Sequence, residues 1–375
     1  MGWKQSFKGR FKRFKRFKRF KGFKEFKSLR SLIMELKKIC KGRALYQTPD
    51  KIWVAKGMTF YAIDYSGKRV TRKYTVGGMA DRLIGTFRLS RQLLRVGLHH
   101  LLPLKNGNIL VTAKRITYIV SPKGRVVNTF TRYQGNKPGH QGVCVTPDGT
   151  IFFAEYLLNP KRDHDIHLYR STDNGMSFQI VKTWKAGDIR HLHFVKWDSY
   201  EQCLWLGTGD YGENGSENRL YKSTDNGDNW ELIGQYSQDW RAIGVCFTKD
   251  ALLWGTDAGS CPDTVHFVRM DRKTQQLEIL ADFEGPCHGC ASYKDGRAFF
   301  STGVEGGENE KDRYARLKEF KNGEIIDHWK LKKDIWPLIL QYGVMRFPLG
   351  TDACDRVVFT TMGLNGHGEC VMIEQ

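Results

Sequence analysis

The chain has 375 residues, which is too long for one ordinary hydrophobic core, so its length predicts either two domains or one closed repeat architecture. Hydrophobic residues make up 40% of the chain and aromatic residues 13%, a composition that excludes global disorder. The sequence has no run of about 18 apolar residues and no apolar stretch of a secretory signal. It therefore predicts neither a membrane-spanning nor a secreted protein.

The positive charge is concentrated at the N-terminus. The formal net charge is +20, and residues 1–42 alone contain 16 basic residues and two acidic ones, a net charge of +14. The other 333 residues carry only +6. The basic character belongs to a tail, so it does not predict that the folded body binds nucleic acid.

This tail repeats a tripeptide in which phenylalanine is followed by lysine. From Phe11 to Ser28 the sequence reads FKR FKR FKR FKG FKE FKS. Cations interleaved with aromatic rings suit an anionic membrane surface, which is the partner that we favour for residues 4–41. The alternatives are binding of nucleic acid through phosphates and stacked bases, and a solvated tail without a partner. We expect no specific nucleic acid.

The end of the tail has a different pattern. Its apolar residues recur at the spacing of one helical face: Leu29, Leu32, Ile33, Leu36 and Ile39. This spacing predicts an amphipathic helix of about three turns. The predicted domains are therefore a basic tail over residues 1–42 and a folded domain over residues 43–375.

The cysteines indicate a reducing compartment. There are nine of them, an odd number, in a chain much larger than disulfide-stapled domains. Cys287 and Cys290 form a CxxC without a second CxxC at zinc-ribbon spacing, so we interpret them as buried thiols. We predict a cytoplasmic protein that lies at the inner face of a membrane.

Beyond Gly42 the sequence consists of short apolar runs separated by turn signals about every 8 to 12 residues. Residues 98–133 divide into four strands, and residues 44–75 repeat their pattern. Further units begin near residues 139, 189, 240, 287 and 339. Such repeats predict an all-β fold, a single β-propeller of four-stranded blades, with seven blades favoured over six. The last unit stops after three strands, so an N-terminal strand is expected to complete it.

Two units contain nearly the same motif, LYRSTDNGMSF at residues 168–178 and LYKSTDNGDNW at residues 220–230. The pattern S-x-D-x-G-x-x-[FW] resembles the Asp-box, or BNR repeat, of sialidase-type propellers. The resemblance implies a folding element in which the aspartate bonds to turn amides, the glycine has a positive φ and the aromatic ring packs between sheets. It assigns this structural role to Ser171, Asp173, Gly175, Phe178, Ser223, Asp225, Gly227 and Trp230.

Propeller topology predicts where a site lies, because inner strands begin and second strands end at the same face. Polar residues are concentrated at both places, and their convergence could perturb pKa values and support acid and base chemistry. The candidates for catalysis are Tyr342, Glu305, Asp257, His191 and His140. The candidates for substrate binding are His100, Glu155, Arg190, His193, Asp210, Gln238, Trp240, Arg241 and Gln341.

Two kinds of carbohydrate chemistry fit these residues. The sialidase resemblance implies arginine clamps for a substrate carboxylate, a tyrosine nucleophile supported by a glutamate, and a general acid. Arg190, Arg241 and Arg346 are candidate clamps. The family's early F/Y-R-I-P motif has only FRLS at residues 87–90 as a counterpart, without proline, which disfavours true sialidase activity. A polysaccharide lyase would instead use a histidine or tyrosine base and cations that neutralise a uronate.

The predicted function is therefore a carbohydrate-active or carbohydrate-binding propeller for an acidic glycan, of hydrolase or lyase type. The alternative is a non-catalytic propeller for protein interaction or assembly. We expect no cofactor, although His191 and His193 share one side of a strand and could bind a divalent metal.

Overall fold

The computed structural model describes residues 35–210, 212–257, 265–308, 310 and 312–374. Within these residues the chain forms seven four-stranded antiparallel sheets, which are the blades of a propeller. The predicted all-β propeller is confirmed, with seven blades. The phenylalanine repeats lie outside the described residues. Within the described part, no helix is both long enough and apolar enough to cross a membrane.

The first strand of the chain closes the ring, as expected from the incomplete last unit. β1 (Glu35–Lys41) pairs antiparallel with the last strand, Glu369–Glu374. Lys37 forms an ion pair with Glu374 at 2.5 Å. Blade 7 is therefore held together by residues from the two ends of the described chain.

The predicted amphipathic helix is wrong for residues 35–40, which belong to this strand. Leu36 packs against the core between blades 6 and 7, and Ile39 against the core between blades 7 and 1. Residues three apart share one helical face but lie on opposite faces of a strand, and here both faces are covered. The folded domain thus begins before residue 43, at or before Glu35.

The remaining strands follow in chain order, four to a blade. Blade 1 consists of β2 (Arg43–Gln47), β3 (Ile52–Lys56), β4 (Thr59–Ile63) and β5 (Tyr74–Thr75). Two short helices, α1 (Met79–Ile84) and α2 (Arg88–Leu94), connect it to the next blade. Blade 2 consists of β6 (His100–Pro103), β7 (Ile109–Ala113), β8 (Ile116–Val120) and β9 (Val126–Phe130). Blade 3 consists of β10 (Val143–Val145), β11 (Ile151–Ala154), β12 (Ile166–Ser171) and β13 (Gln179–Trp184).

The second half of the ring has the same organisation. Blade 4 consists of β14 (His191–Asp198), β15 (Cys203–Gly209), β16 (Leu220–Ser223) and β17 (Glu231–Gly234). Blade 5 consists of β18 (Cys246–Phe247), β19 (Ala251–Gly255), β20 (Val265–Asp271) and β21 (Leu277–Phe283). Blade 6 consists of β22 (Cys287–Ser292), β23 (Ala298–Thr302), β24 (Tyr314–Lys321) and β25 (Glu324–Lys332). Blade 7 consists of β26 (Val344–Arg346), β27 (Val358–Met362), β28 (Glu369–Glu374) and β1.

The cores lie between neighbouring blades. β7 and β15, which are second strands, are buried at every position because both of their faces are covered. The outer strand β13 is largely exposed. The eight described cysteines are free, and Cys287 and Cys290 are buried in the core between blades 5 and 6. Short apolar runs therefore become central strands, as expected for sheets that pack on both faces.

The two motifs that resemble the Asp-box form the turns between the third and fourth strands of blades 3 and 4. In each motif the aspartate accepts hydrogen bonds from turn groups and from the serine of the motif. These contacts join Asp173 to Ser171, Met176 and Ser177, and Asp225 to Ser223 and Asn229. Gly175 and Gly227 have φ of +83° and +84°. Phe178 stacks on Phe130 of blade 2, with ring centroids 4.2 Å apart, and Trp230 donates to the carbonyl of Gly227.

The two faces of the ring differ in what they contain. We define the upper face as the one at which inner strands such as β2 begin and second strands such as β3 end. Turns between third and fourth strands, including both Asp-box turns, lie on the lower face. β1 ends at Lys41, two residues before β2 begins at Arg43, so its first residue lies at the lower face. The tail therefore enters the propeller from the face opposite the predicted site.

Candidate functional site

A cavity of about 970 Å³ lies at the upper face, within the size range of small-molecule sites. Its wall combines the starts of inner strands in blades 1 and 2 with helix α2 and the segment that precedes blade 3. Blade 7 contributes Arg346, and the segment before this blade contributes Gln341 and Tyr342. The sequence predicts that the inner strands of the blades begin at one face, and residues from these strand starts form much of the wall.

The cavity wall is cationic. Of the described residues, nine lysines and arginines line it, and no aspartate or glutamate does. The basic residues are Lys41, Arg43, Lys56, Arg88, Arg91, Arg95, Arg115, Lys137 and Arg346. Among the described residues, only Arg88 of this set forms an ion pair, with Asp334. An anionic ligand would therefore meet positive charge that the surrounding carboxylates leave uncompensated.

Three of these cations are partly buried and repel one another. Desolvation, followed by the charges of Arg43 and Arg346, lowers the pKa of Lys137 to about 7. Desolvation also lowers the pKa of Arg43 and of Arg346, and the charge of Arg346 adds to the effect on Arg43. The free site is electrostatically strained, and a bound anion would relieve the strain.

The histidines of the wall are neutral at neutral pH. Burial, followed by the neighbouring cations, lowers the pKa of His100 and His140 well below its usual range. Both ring nitrogens of His100 are engaged, at 2.7 Å from Thr112 Oγ1 and 2.7 Å from the Gly139 carbonyl, so this predicted substrate-binding residue has a structural role. Within the described part of the chain, His140 Nδ1 has no hydrogen-bond partner. His140 is therefore a neutral imidazole in the cavity wall.

A second group of polar side chains adjoins this wall, in blades 4, 5 and 6. We name it the histidine–carboxylate cluster, and its members are Arg190, His191, His193, Asp210, Arg241, Asp257, His288 and Glu305. The ring of Tyr156, a cavity residue, lies 4.1 Å from the ring of His191. Arg346 of the wall donates to the His288 carbonyl at 3.2 Å. The cavity and the cluster are therefore neighbouring halves of one face.

Asp210, directly after β15, organises the cluster. Its Oδ2 accepts from Arg190 Nη1 at 2.8 Å, and its Oδ1 lies 2.9 Å from Arg241 Nη2 and 3.1 Å from His193 Nε2. Burial raises the pKa of Asp210, but the contacts with His191 and His193 outweigh burial and hold the pKa well below its usual range. Asp210 is thus a carboxylate at neutral pH.

Arg241 connects Asp210 to the rest of the cluster. Its Nη2 lies 3.3 Å from Asp257 Oδ2. His288 Nε2 lies 2.5 Å from Glu305 Oε1, and Tyr342 stacks on the His288 ring with centroids 6.4 Å apart. Burial opposes charge on both members of this pair, yet their attraction raises the pKa of His288 and lowers that of Glu305. The predicted catalytic residues Asp257, Glu305 and Tyr342 therefore lie close together.

Some predicted site residues lie elsewhere. Glu155 is fully buried and accepts hydrogen bonds from the amides of Gln134 and His167, so it supports the backbone and does not reach the cavity. Trp240 stacks on Trp254, with centroids 6.1 Å apart, in the core between blades 4 and 5. A carboxylate or an indole near a strand end can therefore stabilise the fold through hydrogen bonds or packing, and its position alone does not make it a binding residue.

Two further predicted residues lie at the edge of the site. Gln238 donates to the backbone carbonyl of Asp257. Gln341 lies in the cavity wall. The FRLS segment opens helix α2, where Arg88 pairs with Asp334 and lies over the ring of Trp336.

Several cavity residues were missed by sequence reasoning. Arg43 begins the inner strand of blade 1, which is a position at which a site residue is expected, but the predicted domain boundary fell directly before it. Arg91 and Arg95 reach the cavity from helix α2, an insertion that the strand pattern does not reveal. Lys137 lies in the loop before blade 3, and no motif marks it.

The fold has many relatives among solved structures, although no family model and no curated protein sequence matches the chain. A catalytically inactive variant of virginiamycin B lyase from Staphylococcus aureus, solved with quinupristin, is 14% identical, with a TM-score of 0.54 over 91% of this chain and 99% of that one. The chain is a seven-bladed β-propeller.

Two WD40 structures are about equally similar. The WD40 domain of Neurospora crassa Pan2 is 12% identical, with a TM-score of 0.52 over 91% of this chain and 96% of that one. The RRP9 WD40 repeats are 8% identical, with a TM-score of 0.52 over 90% and 97%. Identities this low establish the fold alone, so function has to be argued from the site.

Proposed function

We propose that this propeller binds an acidic sugar in its upper cavity and cleaves it by elimination. The observation that carries the proposal is the cavity wall, whose described residues include nine lysines and arginines and no aspartate or glutamate. Half-buried and exposed cations of this kind favour a carboxylate-bearing ligand, because the ligand supplies the negative charge that the wall lacks. The half-exposed ring of Tyr342 offers an apolar surface for a sugar ring.

The protonation states favour elimination over hydrolysis. The neutral His140 can take the proton next to the sugar carboxylate, while Arg43 and Lys137 stabilise the negative charge that develops there. Burial raises the pKa of Tyr342, so this residue stays protonated and can give its proton to the departing oxygen. A hydrolase with a tyrosine nucleophile would need the opposite shift.

The test is isothermal titration of the full chain with uronate disaccharides, with neutral disaccharides as the matched ligands. We expect binding of the uronates alone, followed by the ultraviolet absorbance of an unsaturated product. The double variant Arg43→Gln with Arg346→Gln should weaken uronate binding at least about tenfold, since each removes a charge-assisted contact.

The control for this variant is Lys123→Gln with Arg125→Gln. Both residues are exposed in a lower-face turn, so the control removes the same charge without touching the cavity. Equal loss of binding in the two variants would mean that the tail or the net charge holds the ligand. Binding without an unsaturated product would leave a binding protein and remove the lyase.

A second candidate function is docking of another protein, which is favoured by an apolar rim beside the cavity. Phe87, directly before helix α2, and Leu93 within this helix are 71% and 57% exposed, and Ile335 and Ile339 are 97% and 81% exposed. The Arg88 to Asp334 ion pair joins these two segments into one surface. Replacing Phe87 and Ile339 by serine should abolish a protein complex but leave uronate binding unchanged.

For the tail we propose attachment to an anionic membrane surface on the cytoplasmic side, with the phenylalanines inserted among the headgroups. Deleting residues 2–34 should abolish sedimentation with vesicles that contain phosphatidylserine. The deletion stops at residue 34 because β1 begins at Glu35. Replacing the six repeat phenylalanines by alanine keeps the charge, and full binding by that variant would show that the rings do not insert.

A further inference from the structure

Three atoms of the kind that bind metal ions lie close together inside the histidine–carboxylate cluster. His191 Nε2 and His193 Nε2 are 3.1 Å apart. Asp210 Oδ1 lies 3.1 Å from His193 Nε2 and 3.7 Å from His191 Nε2. The side chains of the two histidines are each 1% exposed, so water does not screen this contact.

The opposite nitrogens of both rings fix their tautomers. His191 Nδ1 lies 2.7 Å from the Leu157 carbonyl, and His193 Nδ1 lies 2.9 Å from the Ala242 carbonyl. A carbonyl only accepts, so each Nδ1 carries a hydrogen. An imidazole with its hydrogen on Nδ1 carries a lone pair on Nε2, so in this tautomer both rings present Nε2 lone pairs to each other and to Asp210.

The three lone-pair atoms have the spacing of one face of a metal tetrahedron. A tetrahedral zinc ion with bonds of about 2.0 to 2.1 Å holds its ligand atoms about 3.3 Å apart. The distances here, 3.1, 3.1 and 3.7 Å, span this value. Two imidazole nitrogens and one carboxylate oxygen are a common protein ligand set for zinc, and they leave a fourth position for water or substrate.

The surroundings of the three atoms are those of a metal site. Histidine ligands typically donate their second nitrogen to a carbonyl, as both histidines do here. The second carboxylate oxygen, Asp210 Oδ2, is held by Arg190, which fixes the direction of Oδ1. Arg241 contacts Oδ1 itself, and a carboxylate oxygen has two lone pairs, so this contact and a metal bond are compatible. Asp257, on the other side of Arg241, offsets its charge.

We propose that His191, His193 and Asp210 form a binding site for a divalent cation, with Zn²⁺ as the best match. The site does not depend on the proposed sugar chemistry, because its ligand atoms lie outside the cavity wall.

The experiment is calorimetric titration of the full chain with ZnCl₂ after treatment with EDTA, and a parallel titration with CoCl₂ followed by visible absorbance. We expect the first equivalent of Zn²⁺ to bind more tightly than any further Zn²⁺ ions. We expect Co²⁺ to give the intense visible bands of tetrahedral coordination. Bands of sulfur-to-cobalt charge transfer should be absent, which separates this site from the cysteines. Asp210→Asn and His191→Asn should each weaken binding by about 100-fold or more.

The matched control is His266→Ala. His266, on β20, is another histidine beside carboxylates. Its Nδ1 lies 2.6 Å from Asp239 Oδ1, and its Nε2 lies 3.7 Å from Asp282 Oδ1. Its variant should bind Zn²⁺ as the unchanged protein does. Undiminished binding by Asp210→Asn, sulfur bands with Co²⁺, or no tightly bound equivalent would each overturn the proposal. Should both site variants unfold, X-ray absorption of the zinc-loaded unchanged protein decides, because it counts two imidazoles and no sulfur if the proposal holds.

Discussion

The two halves of the upper face use charge in opposite ways. In the cavity half, Arg43, Lys137 and Arg346 are crowded together, and no carboxylate is among the wall residues that the structure describes. In the cluster half, Arg241 contacts both Asp210 and Asp257. Arg43 in the cavity half and His191 and Asp210 in the cluster half come from the same places in the blades, the starts of inner strands and the ends of second strands, whereas Lys137 lies in the loop before blade 3. Equivalent positions in a repeat fold can thus carry either stability or binding.

The difference indicates where the negative charge that balances the cations of each half comes from. In the cluster half the counter-charge belongs to the protein, so the ionic contacts form during folding. In the cavity half the counter-charge has to come from a ligand, so the free protein retains repulsion. Such stored strain is typical of binding sites, where stability is given up for function. Substitutions in the two halves should therefore have opposite effects on stability.

The largest effect is expected for Arg241→Ala. This change leaves Asp210 and Asp257 facing each other without their shared guanidinium, at side-chain exposures of only 13% and 12%. Breaking a buried ionic contact from one side costs about 3 to 5 kcal/mol. Urea denaturation measures the free energy of unfolding. A loss below about 1 kcal/mol would mean that the cluster is not a structural ionic network, and Arg125→Ala on the exposed lower face is the control.

The second effect is a pH dependence of uronate binding. The pKa of Lys137 is lowered to about 7 in the free protein, and a bound anion raises it, so binding takes up a proton. Affinity should be highest below pH 7 and fall as pH rises toward 9. A ligand-induced increase of about one pKa unit corresponds to about a tenfold loss of affinity. Titration calorimetry at several pH values measures it, and Lys137→Gln should flatten the profile. A wild-type profile without slope contradicts the role of Lys137.

The smallest effect is a gain of stability in Lys137→Met. The folded-state pKa of Lys137 lies below that of an unfolded lysine, so its charge opposes folding below about pH 7. This penalty disappears as pH rises through the lysine's unfolded value near 10. The free energy of unfolding of the variant should therefore exceed that of the unchanged protein by about 1 kcal/mol at pH 6. At pH 10 this difference should be much smaller. Lys123→Met, at an exposed turn, should show no such difference.

The repeat pattern predicted the fold well because each blade buries its own apolar strands. The units expected near residues 139, 189 and 287 correspond to blades that begin at Val143, His191 and Cys287. The tail helix failed because the spacing of Leu36 and Ile39 fits a helix locally, while the contacts that decide their structure come from the other end of the chain. Local periodicity contains no information about such a distant partner.

The site was predicted only in part, for a related reason. Position in the blade identified His191, Asp210 and Arg241, because topology alone brings those positions together. It could not separate them from Glu155, which occupies an equivalent place but points into the backbone of its own blade. Whether a carboxylate at a strand end is exposed depends on neighbouring side chains. Lys137 has no such position, and its importance follows from cations supplied by other segments.

The closing strand also bears on how quickly the protein can fold. β1 pairs with β28, and the Lys37 to Glu374 contact spans 337 positions of the chain. Contacts between such distant segments form slowly, since the chain must close a large loop first. Until then β28 presents an unpaired edge that a second chain could join. Closure of blade 7 should therefore be the last and slowest step of folding, and the strand that completes it directly follows the basic tail.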